Sequence, residues 1–174
     1  LPPASLYPHL PECTESATTV GSTKALAEAT RLATDGSGGK GKTSQDPRLR
    51  RCGAGVATCA YVDSPLGHFP IVTSGIFAAV EGAQTVPRAE LTAVCLALEA
   101  NRSPHLTIVV DASYIIRGYT RGPRNLSRFS NPDLWARFWK RVGERGGRET
   151  LTFQKVKSHL TTAEILCGSA PSVT

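Results

Sequence analysis

The chain has no methionine among its 174 residues, few aromatics (6%) and no long apolar run. A helix that crosses a bilayer needs roughly 18 consecutive apolar residues; no segment approaches that, and no membrane association is expected. The N-terminus, with Pro2, Pro3, Pro8 and Pro11, lacks the basic-then-apolar layout of a secretory signal. An intracellular location, cytoplasm or nucleus, is therefore expected. Cysteine is sparse and odd in number: Cys13, Cys52, Cys59, Cys95 and Cys167 are scattered, with no CxxC pair. That disfavours a thiolate metal site and suits free thiols in a reducing compartment, with Cys59 and Cys95 as core residues. Beginning at Leu1, the chain reads as a fragment of something longer.

What is present suits one monomeric globular domain with some tail: apolar residues make up 40% of the chain. The net charge of +6 is unevenly placed. Between Arg117 and Arg148 there are nine Lys or Arg against Asp133 and Glu144, and Lys40 to Arg51 adds five against Asp46. Basic charge gathered in this way suits a polyanion such as nucleic acid; a solvated helix face is the alternative.

Residues 1–29, rich in Pro, Ser, Thr and Ala, read as a linker or tail with a short helical stretch near Ala25 to Ala29. The domain is expected over 30–174. Arg31 to Asp35 is a first strand, ended by the glycine cluster Gly36-Ser37-Gly38-Gly39. Ala54 to Val62 and Ile71 to Val80 are two more, with Gly75 marking a bulge. Pro87 opens a helix to about Asn101, its buried face formed by Leu91, Val94, Cys95 and Leu98. Leu106 to Val110 reads as a strand buried on both faces, followed by a short helix through Tyr119. Asn131-Pro132 is an N-cap with proline at the first helical position, opening a helix with the apolar stripe Leu134, Trp135, Phe138, Trp139 and Val142. Leu151 to Lys157 is a last strand. This order gives an α/β fold, a mixed sheet flanked by helices.

Three acids fall at the ends of these elements. Asp35 ends the first strand, Glu90 sits in the first turn of a helix, and Asp111 ends the buried strand. Each has an ordinary explanation: Asp35 as a turn residue, Glu90 as a complement to a helix N-terminus. Asp111 is harder to dismiss, because an acid directly after Ile108-Val109-Val110 costs desolvation unless partnered. Together they can converge, and crowded carboxylates repel unless a cation neutralises them. Oxygen ligands without His or Cys favour Mg²⁺ or Mn²⁺, and two such ions about 4 Å apart can hydrolyse a phosphodiester.

Thr34-Asp35-Gly36-Ser37, Arg88-Ala89-Glu90-Leu91 and Val110-Asp111-Ala112-Ser113 resemble, in order, the first three acidic motifs of the type 1 ribonuclease H family. Tyr114 to Gly118, Asn131 to Trp135 and Lys155 to His159 resemble further family segments. The resemblance runs from residue 31 to about 160. It implies a five-stranded mixed sheet and two-metal endonucleolytic hydrolysis of the RNA strand of an RNA–DNA hybrid, with Mg²⁺ or Mn²⁺ held by Asp35, Glu90 and Asp111. It also implies a catalytic role for His159, and substrate contacts from Gly36, Ser37, Gly38, Thr85, Arg88, Ser113, Arg117 and Trp135. The 2′-hydroxyls would be what tells the RNA strand from DNA. A reverse transcriptase domain in the same longer polyprotein, of retroelement type, is a further expectation.

The resemblance departs at its end. The family's fourth acid, an aspartate after the histidine, has no counterpart: Leu160 to Thr174 contains only Glu164. Either the domain continues past Thr174 or the frame changes near Cys167. A domain that binds nucleic acid without cutting it is therefore the alternative. Gly36 to Thr43 also matches the phosphate-loop pattern G-x-x-x-x-G-K-T. That mechanism needs a helix directly after the lysine, and Pro47 and Gly53 argue against one. Nucleotide binding at Lys42 is the third reading.

Overall fold

The computed structural model describes residues 13–39 and 49–157. Its elements are β1 (Ser16–Val20), α1 (Thr23–Glu28), β2 (Arg31–Ser37), β3 (Gly53–Ser64), β4 (Gly67–Ala79), α2 (Val86–Ala100), β5 (Leu106–Val110), α3 (Ser113–Arg121), α4 (Pro132–Glu144) and β6 (Leu151–Lys155). The strands form one sheet in the order β1-β4-β3-β2-β5-β6. From β1 to β2 all neighbours run antiparallel, whereas β2, β5 and β6 run parallel. The difference follows from the connections. Two residues, Pro65 and Leu66, join β3 to β4, which permits only a hairpin; helices lie between β4, β5 and β6, as parallel crossovers require.

The sheet has six strands rather than five. The stretch expected to be a linker or tail contains a strand: Ser16–Val20 pairs along the edge of β4, from Ser16 opposite Ala79 to Val20 opposite Gly75. All five β1 residues are exposed. A strand held only by its backbone buries no alternate side chain and so carries no period-two pattern. The short helix α1 begins three residues later. Ser22 caps it by accepting from the Ala25 amide (3.1 Å), and Leu26 is its one buried residue. Asn101, fully buried, donates to the Leu26 and Ala29 carbonyls (2.9 and 2.8 Å) and closes its far end.

The helix α2 is buried along most of its length. The expected face of Leu91, Val94, Cys95 and Leu98 lies in the core, but so do Ala89, Ala93 and Ala97 on the other side. Small side chains there let β2 pack closely against it, while α4 packs on the side of Arg88, Cys95 and Glu99. In β5 the burial alternates: Leu106, Ile108 and Val110 are buried, while Thr107 and Val109 are half-buried. Only one of its faces is therefore fully covered. The bulge expected at Gly75 sits at Thr73 instead, where the pairing steps from Thr58–Ser74 to Cys59–Val72. Cys95 is buried and its thiol is pushed up to about 12 by desolvation. Cys13, Cys52 and Cys95 are free thiols; the side chain of Cys59 is not described, and Cys167 lies outside the described residues. Among the described residues no helix is long and apolar enough to cross a membrane.

The helices α3 and α4 meet where Trp135 lies against Gly118. A methyl group on Gly118 would come within 2.0 Å of the Trp135 ring. Trp135 is 1% exposed and its indole N–H donates to the Tyr114 hydroxyl (2.9 Å), so it has no room to withdraw. Gly118→Ala is expected to cost about 1–3 kcal/mol of stability, read as a lowered Tm in thermal unfolding. An unchanged Tm would show that α3 can move away from α4.

Candidate metal centre

The end of β2 next to β5 is where antiparallel pairing gives way to parallel pairing. Ala33 stands opposite Val109 in the register, so Asp35 and Asp111, each two residues further on, leave neighbouring parallel strands at the same level. The third acid comes from α2. Helix and strand meet at Gly36, where an added methyl group would sit 2.4 Å from the Glu90 amide nitrogen and 2.9 Å from the Ala89 methyl. Only glycine permits this approach, and the approach brings Glu90 over the strand ends. The strand itself runs on to Ser37, with Gly36 paired to Ala54 and Ser37 to Gly53. Gly36 is thus a strand residue in close contact rather than the start of a turn.

Asp35, Glu90 and Asp111 each place a carboxylate oxygen within 4.8 Å of the others, the only such acidic, His or Cys cluster among the described residues. Asp35 is exposed, Asp111 half-buried and Glu90 6% exposed. Burial is the first cause that pushes the Glu90 carboxyl from its ordinary 4.5 up to about 8; the charges of Asp111 and Asp35 add to it, and the Gly36 amide opposes it through a hydrogen bond. Glu90 is the fifth residue of α2, past the first turn, where a helix dipole has faded. Helix-end electrostatics therefore do not account for it. Glu90 Oε2 and Asp111 Oδ1 are buried and have no hydrogen-bond partner. Buried oxygens on converging acids are costly alone and fit a hard divalent cation, whose charge offsets both repulsion and desolvation. The acids line a cleft of about 800 Å³ together with Gly36 to Gly39, Val86, Val156 and Lys157.

The remaining residues expected at the site divide. Gly36, Ser37 and Gly38 line the cleft, and the Ser37 hydroxyl accepts from the Gly39 amide (3.2 Å). Thr85 caps α2, accepting from the Arg88 amide (3.4 Å). Ser113 is exposed as the first residue of α3, and Arg117 is exposed one turn on. Two others are not surface groups. Trp135 belongs to the core. Arg88 is 8% exposed, with its guanidinium committed to Asp133, Asn131 and the Glu81 carbonyl. Trp135 follows the apolar stripe of α4, whereas the burial of Arg88 depends on Asp133 and Asn131, brought to it by another element. His159 and Lys42 lie outside the described residues.

The basic charge also divides. Arg137 pairs with Glu15 and Glu99, while Arg141 and Arg145 donate to carbonyls at the end of α2. Arg117, Arg121, Arg124 and Arg128 are exposed, and no Asp or Glu occurs between Asp111 and Asp133. Three of the four line a pocket of about 320 Å³ with Tyr114, Phe129 and Ser130. Sequence reasoning passed over Phe129, which lies beneath the Arg121 guanidinium (5.2 Å to the ring centre).

A mixed sheet whose antiparallel half turns parallel at a three-carboxylate cluster defines an α/β protein with an acidic cleft that could hold a metal ion. The chain belongs to the RNase H family, whose model matches residues 27–165. Among solved structures it is similar to the PFV RNase H domain in solution, at 16% identity over 80% of this chain and 86% of that domain, with a TM-score of 0.48. It is also similar to the prototype foamy virus protease-reverse transcriptase, at 16% identity over 81% of this chain and a TM-score of 0.48, spanning only 19% of that longer chain. No curated protein matches.

The proton on Glu90 gives a test that needs no substrate. Without metal, the folded chain keeps a proton up to about pH 8 that the unfolded chain releases near 4.5. Stability should therefore be highest below about pH 4.5 as far as Glu90 is concerned, and fall as pH rises towards 8. Millimolar Mg²⁺ should remove that fall, and Glu90→Gln should lack it. Melting temperatures between pH 5 and 8.5 check this; equal slopes for parent and Glu90→Gln would refute it.

Proposed function

We propose that this domain hydrolyses the RNA strand of RNA–DNA hybrids, using a divalent cation (Mg²⁺ or Mn²⁺) held by Asp35, Glu90 and Asp111. The observation that carries the reading is the convergence of the three family acids, with two buried oxygens lacking partners. Bound there, the metal would polarise the phosphodiester and lower the pKa of an attacking water. The chain's own part is to hold the acids at a strand-end cleft open to a duplex. Gly36 and Gly38 line the cleft where the strand would approach, and Ser37 and Ser113 offer hydroxyls at its rim. Thr85, whose oxygen accepts from Arg88, keeps its own O–H to donate to a phosphate.

The four exposed arginines of α3 and the turn after it supply sequence-independent attraction to phosphates. Membership of a longer chain with a reverse transcriptase domain suits this activity, and the domain spans a small share of the protease-reverse transcriptase it resembles. A second reading, a hybrid binder that does not cut, is suggested by the stretch from Leu160 to Thr174, which holds no aspartate.

Two measurements separate these readings. With Mg²⁺ or Mn²⁺, a labelled RNA–DNA hybrid should be cut in its RNA strand, and Asp35→Asn should abolish cutting while leaving binding in place. A chain that binds but fails to cut with either ion, even when extended past Thr174, would leave only the binder. Changing Arg117, Arg121, Arg124 and Arg128 to Ala should lower the slope of log affinity against log salt by up to about 4. An unchanged slope would place the hybrid elsewhere.

A further inference from the structure

We propose that Arg88 is a positioning residue for the carboxylate centre, fixing where α2 presents Glu90 by pinning that turn of the helix to α4. The inference rests on reading Asp35, Glu90 and Asp111 as cation ligands. The Glu90 side chain is held little by its own polar contacts: its buried Oε2 has no hydrogen-bond partner. Its place therefore depends on where the helix backbone lies. On the β2 side the helix is stopped by Gly36. On the other side stands Arg88, two residues before Glu90 and so turned about 200° from it around the helix.

Arg88 is tied more completely than a stabilising pair requires. Nη1 and Nη2 donate to the two oxygens of Asp133 at the start of α4 (2.9 and 2.7 Å), and Nη1 also reaches Asn131 Oδ1 (3.3 Å). Nε donates to the Glu81 carbonyl (2.6 Å). The Arg88 amide donates to Thr85 Oγ1, and its carbonyl accepts from the Thr92 hydroxyl (2.8 Å). A planar fork bonded on both arms fixes direction as well as distance, which a single charge cannot do. Asn131, in the left-handed region at φ 59°, also donates to Tyr114 at the rim of the basic pocket (3.2 Å). The same clamp thus joins the centre to the arginine surface.

A second arginine clamp supplies the control. Arg137 binds Glu15 and Glu99 as fully as Arg88 binds Asp133, but Glu99 is nine residues beyond Glu90 on the same helix. Mn²⁺ binding to the whole chain, followed by electron paramagnetic resonance of the free ion, is the readout. Arg88→Ala should weaken Mn²⁺ binding about 10–100-fold, the range for groups that orient metal ligands. Arg88→Lys, which restores the charge without the fork, and Asp133→Asn should each lose less. Arg137→Ala should lower the Tm without altering Mn²⁺ affinity. If Arg88→Ala does not fold, Arg88→Lys and Asp133→Asn decide. Parent-like Mn²⁺ affinity in the folded variants, or an equal loss in Arg137→Ala, overturns the positioning role. A parent chain that binds no Mn²⁺ overturns the ligand reading itself.

Discussion

The backbone of α2 rests on β2 at Gly36, and the site depends on that contact. A methyl group there would meet the Glu90 amide at 2.4 Å, nearer than real side chains come. With glycine, the helix settles onto the strand and Glu90 comes within reach of Asp35 and Asp111. The small residues Ala89, Ala93 and Ala97 continue the close approach along α2. One backbone contact therefore sets both the helix packing and the spacing of the acids. Interiors pack densely enough that such a contact cannot be relaxed locally without moving the elements it joins.

That spacing has an electrostatic cost. Burial raises the Glu90 carboxyl, and the two aspartates raise it further, so near neutral pH the metal-free cluster holds a proton where a cation would otherwise sit. Loss of that proton and gain of a metal are linked through one set of oxygens. A cation placed among these oxygens would offset both the repulsion and the desolvation.

The arginines separate into two populations that composition cannot distinguish. One is committed to internal partners: Arg88 on Asp133, Arg137 on Glu15 and Glu99, and Arg141 and Arg145 on carbonyls. The other, from Arg117 to Arg128, is exposed along a stretch without acids. The second is free of acidic neighbours in sequence and faces solvent, as a polyanion surface requires. A count of basic residues between 117 and 148 therefore overstates the nucleic-acid surface.

The acid motifs, the helix-opening prolines and the apolar strand before Asp111 were legible in the sequence, because each obeys a local rule. Strand ends, helix starts and buried runs depend on neighbours a few residues away. The first strand was not legible, since all five of its residues are exposed and only pairing to β4 makes it a strand. Nor was the inward turn of Arg88, which depends on Asp133 being brought across from α4. The sequence by itself thus determined which acids the chain carries and at which element ends they lie. The tertiary structure alone decided that they meet, at what separation and with how much burial, because convergence is a property of the packing between α2 and β2.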